Sequence, residues 1–329
     1  MKIESNPLDL AVHKAADDIS SSVFIVCDLD PEYLGLTLKF LNSYSLKKSL
    51  HKFFSVLRLE DFLNWGRDST NLSEIDKNAE VEILSLHLGL DNEIKNHKLI
   101  SDHAFKLGLK QLNPYHSLAE LFDNKFLFYN FMLAEGFKQA KTYFITKEES
   151  LSELSATLQT FVSDLKLDYP TILISPMRFI LKPCSGTESI DQYSFDLEDI
   201  ILKTPEFLEK IALIHQYDSV LIQEKFEFQQ EYKIVFLYDN VFSAKTLSEK
   251  ILALCSQLLS AFKDYARFKS EETAHKLASS SNILPDIFSI DLLELANGDL
   301  VILEANARPA GIFKCVGYSY CLYQNTILI

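Results

Sequence analysis

The residues best equipped for chemistry lie near the end of the 329-residue chain, between Ile287 and Gly311. Asn297-Gly298 separates two runs rich in Ile, Val and Leu, from Phe288 to Leu295 and from Asp299 to Glu304. An Asn-Gly pair in that setting is the strongest short hairpin signal, because a type I′ turn needs positive φ at both central residues. With a two-residue loop, Asp291 stands directly opposite Glu304, and Ser289 opposite Asn306. Residues two apart in a strand share a face, so Asp291, Glu304 and Asn306 converge on one side. Directly opposed like charges weaken a ladder, so either the carboxylates splay into water at a sheet edge or a cation bridges them, and the like-charge penalty favours the cation. Two carboxylates and an amide oxygen suit Mg²⁺, which takes one or two protein carboxylates and fills its shell with water and phosphate oxygens. Mn²⁺ is the alternative ion.

Upstream, three more groups carry charge in an ordered series. The first is Asp123-Asn124-Lys125, followed by Gly136 and Thr142. The second is the strand-like Phe179 to Pro183 with Lys182 near its end, running into Cys184-Ser185-Gly186-Thr187-Glu188-Ser189. A fixed lysine followed by small residues offers a cation and approachable backbone N–H groups to phosphate oxygens. It is not a Walker A loop, since no G-K-[ST] follows. The third is the pair Glu224 and Glu231, at the end of one strand and in the next. Carboxylates there accept hydrogen bonds from amino and hydroxyl groups.

Taken in order, these segments resemble the ATP-grasp superfamily, and in particular its carboxylate–amine ligases for amino acids and peptides. The carrying motifs are Asp291 followed by Glu304-x-Asn306, the continuation Asn306-Ala307-Arg308-Pro309 with Gly311, the D-x-K of residues 123–125, the K-P-x-x-G-x-x-S of residues 182–189, and two acids seven apart. The resemblance covers roughly residues 110–311. It implies ATP and Mg²⁺ as cofactors, with Asp291, Glu304 and Asn306 as metal ligands. Lys125 and Lys182 would reach the phosphates, under a loop that includes Ser185, Gly186 and Ser189. Glu224 would meet the adenine amino group, with Lys225 and Glu227 beside the ring edge and Glu231 on the ribose. Lys245 would be a second phosphate contact, and Arg308, with Lys182, would act on the transferring phosphoryl group. The implied reaction converts a carboxylate to an acyl phosphate that an amine attacks, so the implied partners are small-molecule carboxylates and amines. An ATP-binding module whose activity is lost or regulatory is the alternative. Two features favour it: the phosphate loop has a single glycine, Gly186, and Ser289 stands where D-alanine–D-alanine ligases place an arginine.

The elements that must position these residues read as an α/β protein: a small N-terminal Rossmann-like sheet followed by two α+β subdomains enclosing a nucleotide site. The expected divisions are 1–112, 113–220 and 221–329. Strands are expected near Val23–Val26, Val56–Leu59 and Val81–Leu86, alternating with helices at Glu32–Ser43 and Leu99–Gly108, which makes a mostly parallel sheet. No G-x-G-x-x-G follows the first strand, which disfavours a dinucleotide. One helix of about five turns is expected from an N-cap at Ser117, with Glu120 completing a capping box and Gly136 at C′. Further amphipathic helices are expected over 150–169, 205–216 and 247–277.

Composition sets the remaining bounds. The chain is 47% apolar with 24 Phe and 14 Tyr, enough for a large core divided among two or three subdomains. Its net charge of −14 disfavours nucleic acid and anionic membrane as partners. No run is long enough to span a bilayer, and residues 1–20 lack the layout of a secretory signal. Cys27, Cys184, Cys255, Cys315 and Cys321 fit neither a zinc site nor a disulfide framework. They read as buried thiols of a reducing, cytoplasmic setting. A homodimer is compatible with all of this.

Overall fold

Among the described residues, alternating apolar side chains build three four-stranded sheets, and their connections decide which faces are free for a site. The structure is a computed structural model, which describes residues 21–27, 37–42, 52–65, 80–86, 92–146, 178–185, 192–196, 204–216, 218–238, 240–272 and 284–309, with single positions 35, 45, 160 and 163. The expected helix over 150–169, the loop residues Gly186 and Ser189, and Gly311 lie outside or almost wholly outside these described residues.

The first sheet contains β1 (Ser21–Val26), β2 (Lys52–Leu57), β3 (Glu80–Ser85) and β4 (Lys110–Gln111), in the order β2-β1-β3-β4. All its pairings are parallel, as expected. Parallel sheets are covered on both faces. Val23 and Ile25 accordingly enter one core and Phe24 and Val26 another. Helix α1 (Leu59–Asn64) and helix α2 (Glu93–Lys106) flank this sheet. α2 begins at Glu93 rather than at the expected Leu99, because its buried residues Glu93, His97, Ser101 and Ala104 form a stripe that is largely polar and so escapes an apolar-periodicity reading.

The expected five-turn helix is two helices, α3 (Ser117–Asp123) and α4 (Lys125–Ala134). His116, not Ser117, caps the first, its Nδ1 accepting from Leu118 N–H at 3.0 Å. Asn124 breaks the run. It ends α3 in an extended conformation and caps α4, its Oδ1 accepting from Phe126 and Leu127 N–H at 3.1 and 3.0 Å. Asn side chains compete in this way with the helical ladder. The apolar stripe continues across the break, which is why periodicity alone joined the two. Gly136 has φ 77°, the left-handed conformation a helix end favours.

The second sheet has the order β5-β8-β6-β7, from β5 (Thr142–Ile145), β6 (Arg178–Pro183), β7 (Tyr193–Asp196) and β8 (Val220–Lys225). It is antiparallel and packs on α5 (Thr204–His215) through Phe207, Ile211 and Ile214. The third sheet is β10-β9-β11-β12, from β9 (Phe228–Leu237), β10 (Asn240–Ser243), β11 (Ile287–Leu295) and β12 (Leu300–Asn306), also antiparallel. α6 (Glu249–Glu272) covers one face together with α3 and α4. Phe288, Ile290 and Leu292 point to that face, with Phe236 and Phe288 stacked at 4.5 Å between centroids. The other face of β11 carries Ile287, which packs into the first sheet's core, and continues with Ser289 and Asp291.

The hairpin pairing comes out as expected: Asp291 opposes Glu304, and Ser289 opposes Asn306. The turn does not. Near the loop the pairs are Leu293 with Val301 and Glu294 with Leu300, one residue out of that register. Leu295 N–H donates to Asp299 O, leaving Ala296, Asn297 and Gly298 as a three-residue loop. Among non-glycine residues described, only Tyr238 has positive φ, so Asn297 is not in a type I′ turn; Gly298, at φ 78°, takes the left-handed position alone. A bulge between Asp291 and Leu292 then restores the register. Ile302 and Ala305 belong to the helix-side core, whereas Val301 and Leu303 lie in the cluster on the far face. Leu303 is thus the extra residue that lets Glu304 meet Asp291.

Candidate functional site

The outer face of this hairpin is where charge gathers. Asp291 is 9% exposed and Glu304 and Asn306 are half-buried. Asn306 Nδ2 lies 3.5 Å from Asp291 Oδ2 and 3.5 Å from Glu304 Oε1. The two carboxylates stand directly opposite each other on the paired strands. Burial pushes Asp291 up to about 6, against the pull of Lys233 and with the push of Glu304. Burial also acts to raise Glu304, but Lys125, Lys182 and Lys233 together hold it below its ordinary value. Of the two acids, Glu304 is thus the one held the more firmly in its charged form.

Each cation near Glu304 is placed by backbone structure. Lys182 is on β6 of the second sheet, 7% exposed, donating to Gln223 Oε1 at 2.7 Å. Burial drives it down to about 8. Lys125 starts α4, where the Asn124 cap fixes the turn and its N–H donates to Cys184 O at 3.1 Å. Ser185, at the start of the loop, donates both its N–H and its hydroxyl to Asp218 Oδ2, at 2.7 and 2.8 Å. Cys184 is a buried thiol that donates to Asn124 Oδ1 at 3.2 Å, and burial raises its pKa. A thiol so held is a packing group rather than a nucleophile.

Arg308 is buried, 5% exposed, among groups from two other elements. Asp123 accepts two parallel hydrogen bonds, at 2.8 Å from Nη2 and 2.9 Å from Nη1. Glu93 Oε1 faces Nε at 3.2 Å as an ion pair. His97 completes the set. Its Nε2 lies 2.7 Å from the Asn113 carbonyl, which fixes the proton there and leaves Nδ1 to accept from Arg308 Nη1 at 2.8 Å. Burial, then the adjacent guanidinium, drive His97 down to about 3, so it stays neutral.

A cavity of about 540 Å³ joins these groups, a size ordinary for a small-molecule site. Lys125, Ser185, Glu304, Asn306 and Arg308 line one side, and Lys95, Lys98 and Asp102 of α2 line another. The remaining expected residues lie on the strands leading away. Glu224, half-buried near the end of β8, donates its N–H to Lys141 O at 2.8 Å, while Lys225 is exposed as the last residue of that strand and Glu227 is exposed in the link to β9. Glu231 is exposed on β9, and its carbonyl accepts from the exposed Lys245 Nζ at 2.7 Å. Glu231 is two residues from Lys233, hence on the same face and about 7 Å along the strand. Gly186 and Ser189 lie outside the described residues.

No protein-family model matches the sequence, and no curated protein does. Solved structures do match. The D-cycloserine synthetase DcsG superposes with a TM-score of 0.57 at 13% identity, over 90% of this chain and 97% of that one. The D-alanine–D-alanine ligase from Coxiella burnetii gives 0.54 at 12% identity, over 88% and 86%. The ATP-grasp ligase PsnB, solved with a phosphomimetic variant of its minimal precursor, Mg and ADP, gives 0.50 at 12% identity, over 88% and 89%. The chain has the ATP-grasp fold.

Within that ATP-grasp fold, the hairpin donors suit a hard divalent cation. They are all oxygen ligands once the Asn306 amide turns over, a rotation that exchanges groups of equal size. Among the described residues, no group of three or more His, Cys, Asp or Glu side chains is placed to hold a metal ion, and the hairpin itself offers two acids and an amide. Sequence reasoning missed four groups here: Lys233, Asp218, and the Glu93 and His97 partners of Arg308. Lys233 shares a strand face with Glu231, a signal available in principle, but only strand order puts it against Asp291. Glu93 and His97 are four apart on a helix, which marks a common face without saying what it meets.

Proposed function

We propose that this protein is an ATP- and Mg²⁺-dependent ligase that joins a carboxylate to an amine. The carboxylate oxygen attacks the γ-phosphorus of ATP and ADP leaves; the amine nitrogen then attacks the acyl carbon and inorganic phosphate leaves. Such a reaction asks the protein for positioning and charge rather than for a nucleophile. Mg²⁺ held by Asp291, Glu304 and Asn306 would neutralise phosphate charge. Lys182 and Lys125 would hold phosphate oxygens, and Glu224 and Glu231 the base and ribose, with Lys225, Glu227 and Lys245 alongside. Segments 1–112, 113–220 and 221–329 would form the walls. The likeness to ADP-bound and amide-forming neighbours supports the reading. The observation that carries it is the juxtaposition of Asp291 and Glu304 within reach of two lysines, at the edge of a cavity.

One observation favours a second reading, an ATP-binding module without ligase turnover. Arg308 already has Asp123, Glu93 and His97 as partners, which leaves its guanidinium little to offer a phosphoryl group. Incubating the protein with ATP, Mg²⁺ and pooled amino acids and dipeptides, and reading ADP and product mass, separates the two. The ligase reading expects ADP and a condensed product, both lost in Glu304→Ala while the variant still melts cooperatively. Tight ATP binding without ADP on any acceptor supports the module, and undiminished turnover in Glu304→Ala overturns the metal assignment.

A further inference from the structure

Asp291 lies between two partners across the sheet. Glu304 stands opposite it on β12, and Lys233 stands opposite it on β9. The Lys233 ammonium reaches both carboxylate oxygens, 2.8 Å from Oδ1 and 3.0 Å from Oδ2. The lysine side chain is 30% exposed and the aspartate 13%, so this pair is screened less than a surface pair would be. Both oxygens through which Asp291 could hold a divalent ion are thus already engaged by Lys233. The charge count points the same way. Two carboxylates, Asp291 and Glu304, face three ammonium groups, those of Lys125, Lys182 and Lys233. Such a site repels a bare dication and attracts a polyanion.

We propose that Lys233 gates the metal: it occupies the Asp291 oxygens in the nucleotide-free protein and makes divalent-cation binding conditional on the triphosphate arriving with it. The inference rests on the metal-site reading above. The phosphates bring the negative charge that turns a cation-repelling site into a cation-attracting one. The four-carbon stem of lysine lets the ammonium swing off Asp291 without moving the strand. Without Lys233, Asp291 and Glu304 would face one ammonium group fewer, and a bare Mg²⁺ or Mn²⁺ would meet less competition for the Asp291 oxygens.

Mn²⁺ titrated into the full chain and followed by electron paramagnetic resonance, with and without the ATP analogue AMPPNP, reads this directly and needs no turnover. The wild type should bind Mn²⁺ with AMPPNP present and at least about tenfold more weakly without it. Lys233→Met should bind Mn²⁺ without nucleotide at least about tenfold tighter than wild type. Lys233→Arg, which keeps the charge, should behave as wild type. Adding Asp291→Asn to Lys233→Met should abolish the gain. Lys233→Gln serves if the methionine variant does not fold. A wild type that binds Mn²⁺ equally well without nucleotide overturns the gate. So does a Lys233→Met gain that is absent or that survives Asp291→Asn. If AMPPNP-dependent Mn²⁺ binding is present and lost in Glu304→Ala, such a failure belongs to the gate alone. If Mn²⁺ never binds, the metal site falls and the gate with it.

Discussion

Lys182 shows how a single residue carries both the promise and the cost of the site. Its ammonium is buried beside Gln223 and within the field of Glu304, and burial lowers its pKa from 10.5 to about 8. Between those two values the unfolded chain holds more proton than the folded one, so stability rises with pH across that window. Below about pH 8 the burial cost is present in full. Denaturant midpoints measured from pH 7 to 10.5 should rise in the wild type and stay nearly flat in Lys182→Met; an unchanged rise in the variant would assign it to other groups. The placement of Lys182 near a strand end was legible in the sequence, as a lysine closing an apolar run and followed by small residues. The engagement of Arg308 was not legible. Its motif position implies a phosphate contact, but the acids and histidine that hold it come from residues 93, 97 and 123, and only the fold brings them to it.

At the level of elements, the hairpin and the broken helix make opposite points. The Asp291–Glu304 pairing was read from an assumed two-residue loop, and it holds because a three-residue loop and a bulge offset each other. What the sequence constrained was the outcome, since β11 has an apolar face for α6 and a face that must carry Asp291; a one-residue slip would bury the acid among Phe288 and Ile290. The α3–α4 break was missed because hydrophobic spacing runs through it, while the decisive signal was one asparagine. Its carbonyl oxygen caps two N–H groups of α4 and accepts from Cys184, which fixes where Lys125 begins. Asn124→Ala should cost about 1–2 kcal/mol in unfolding free energy. It should also weaken ATP binding measured by calorimetry, since Lys125 loses its anchor. A variant destabilised with unaltered ATP affinity would separate the cap from the site.

Across the whole molecule, the first sheet is tied to the third by polar groups as well as by core. Asn113 bonds both backbone groups of Ser85 on β3 and the carbonyl of Ala307 beyond β12, and His97 of α2 accepts from Arg308. The parallel sheet and the α/β class were legible from alternation, whereas the ties of Asn113 to Ala307 and of His97 to Arg308 join residues 194 and 211 apart. They make a stability prediction. Burial holds His97 at about 3 and His116 at about 4, both below 6.5, so the unfolded chain takes up protons first and stability falls as pH drops below 6.5. His97→Gln with His116→Gln keeps hydrogen-bonding groups and should shallow that fall; unfolding midpoints from pH 7 to 4 in both proteins give the comparison, and identical slopes would contradict it.

In the proposed function the hairpin's two acids serve a divalent ion that grips a triphosphate. A crystal grown with AMPPNP and Mn²⁺ tests this most directly, because manganese announces itself by anomalous scattering. The expected result is an anomalous peak in contact with Asp291 and Glu304 oxygens at about 2.0–2.3 Å and with the nucleotide phosphates. A nucleotide whose metal lies away from both carboxylates, with Asp291 still paired to Lys233, would contradict it.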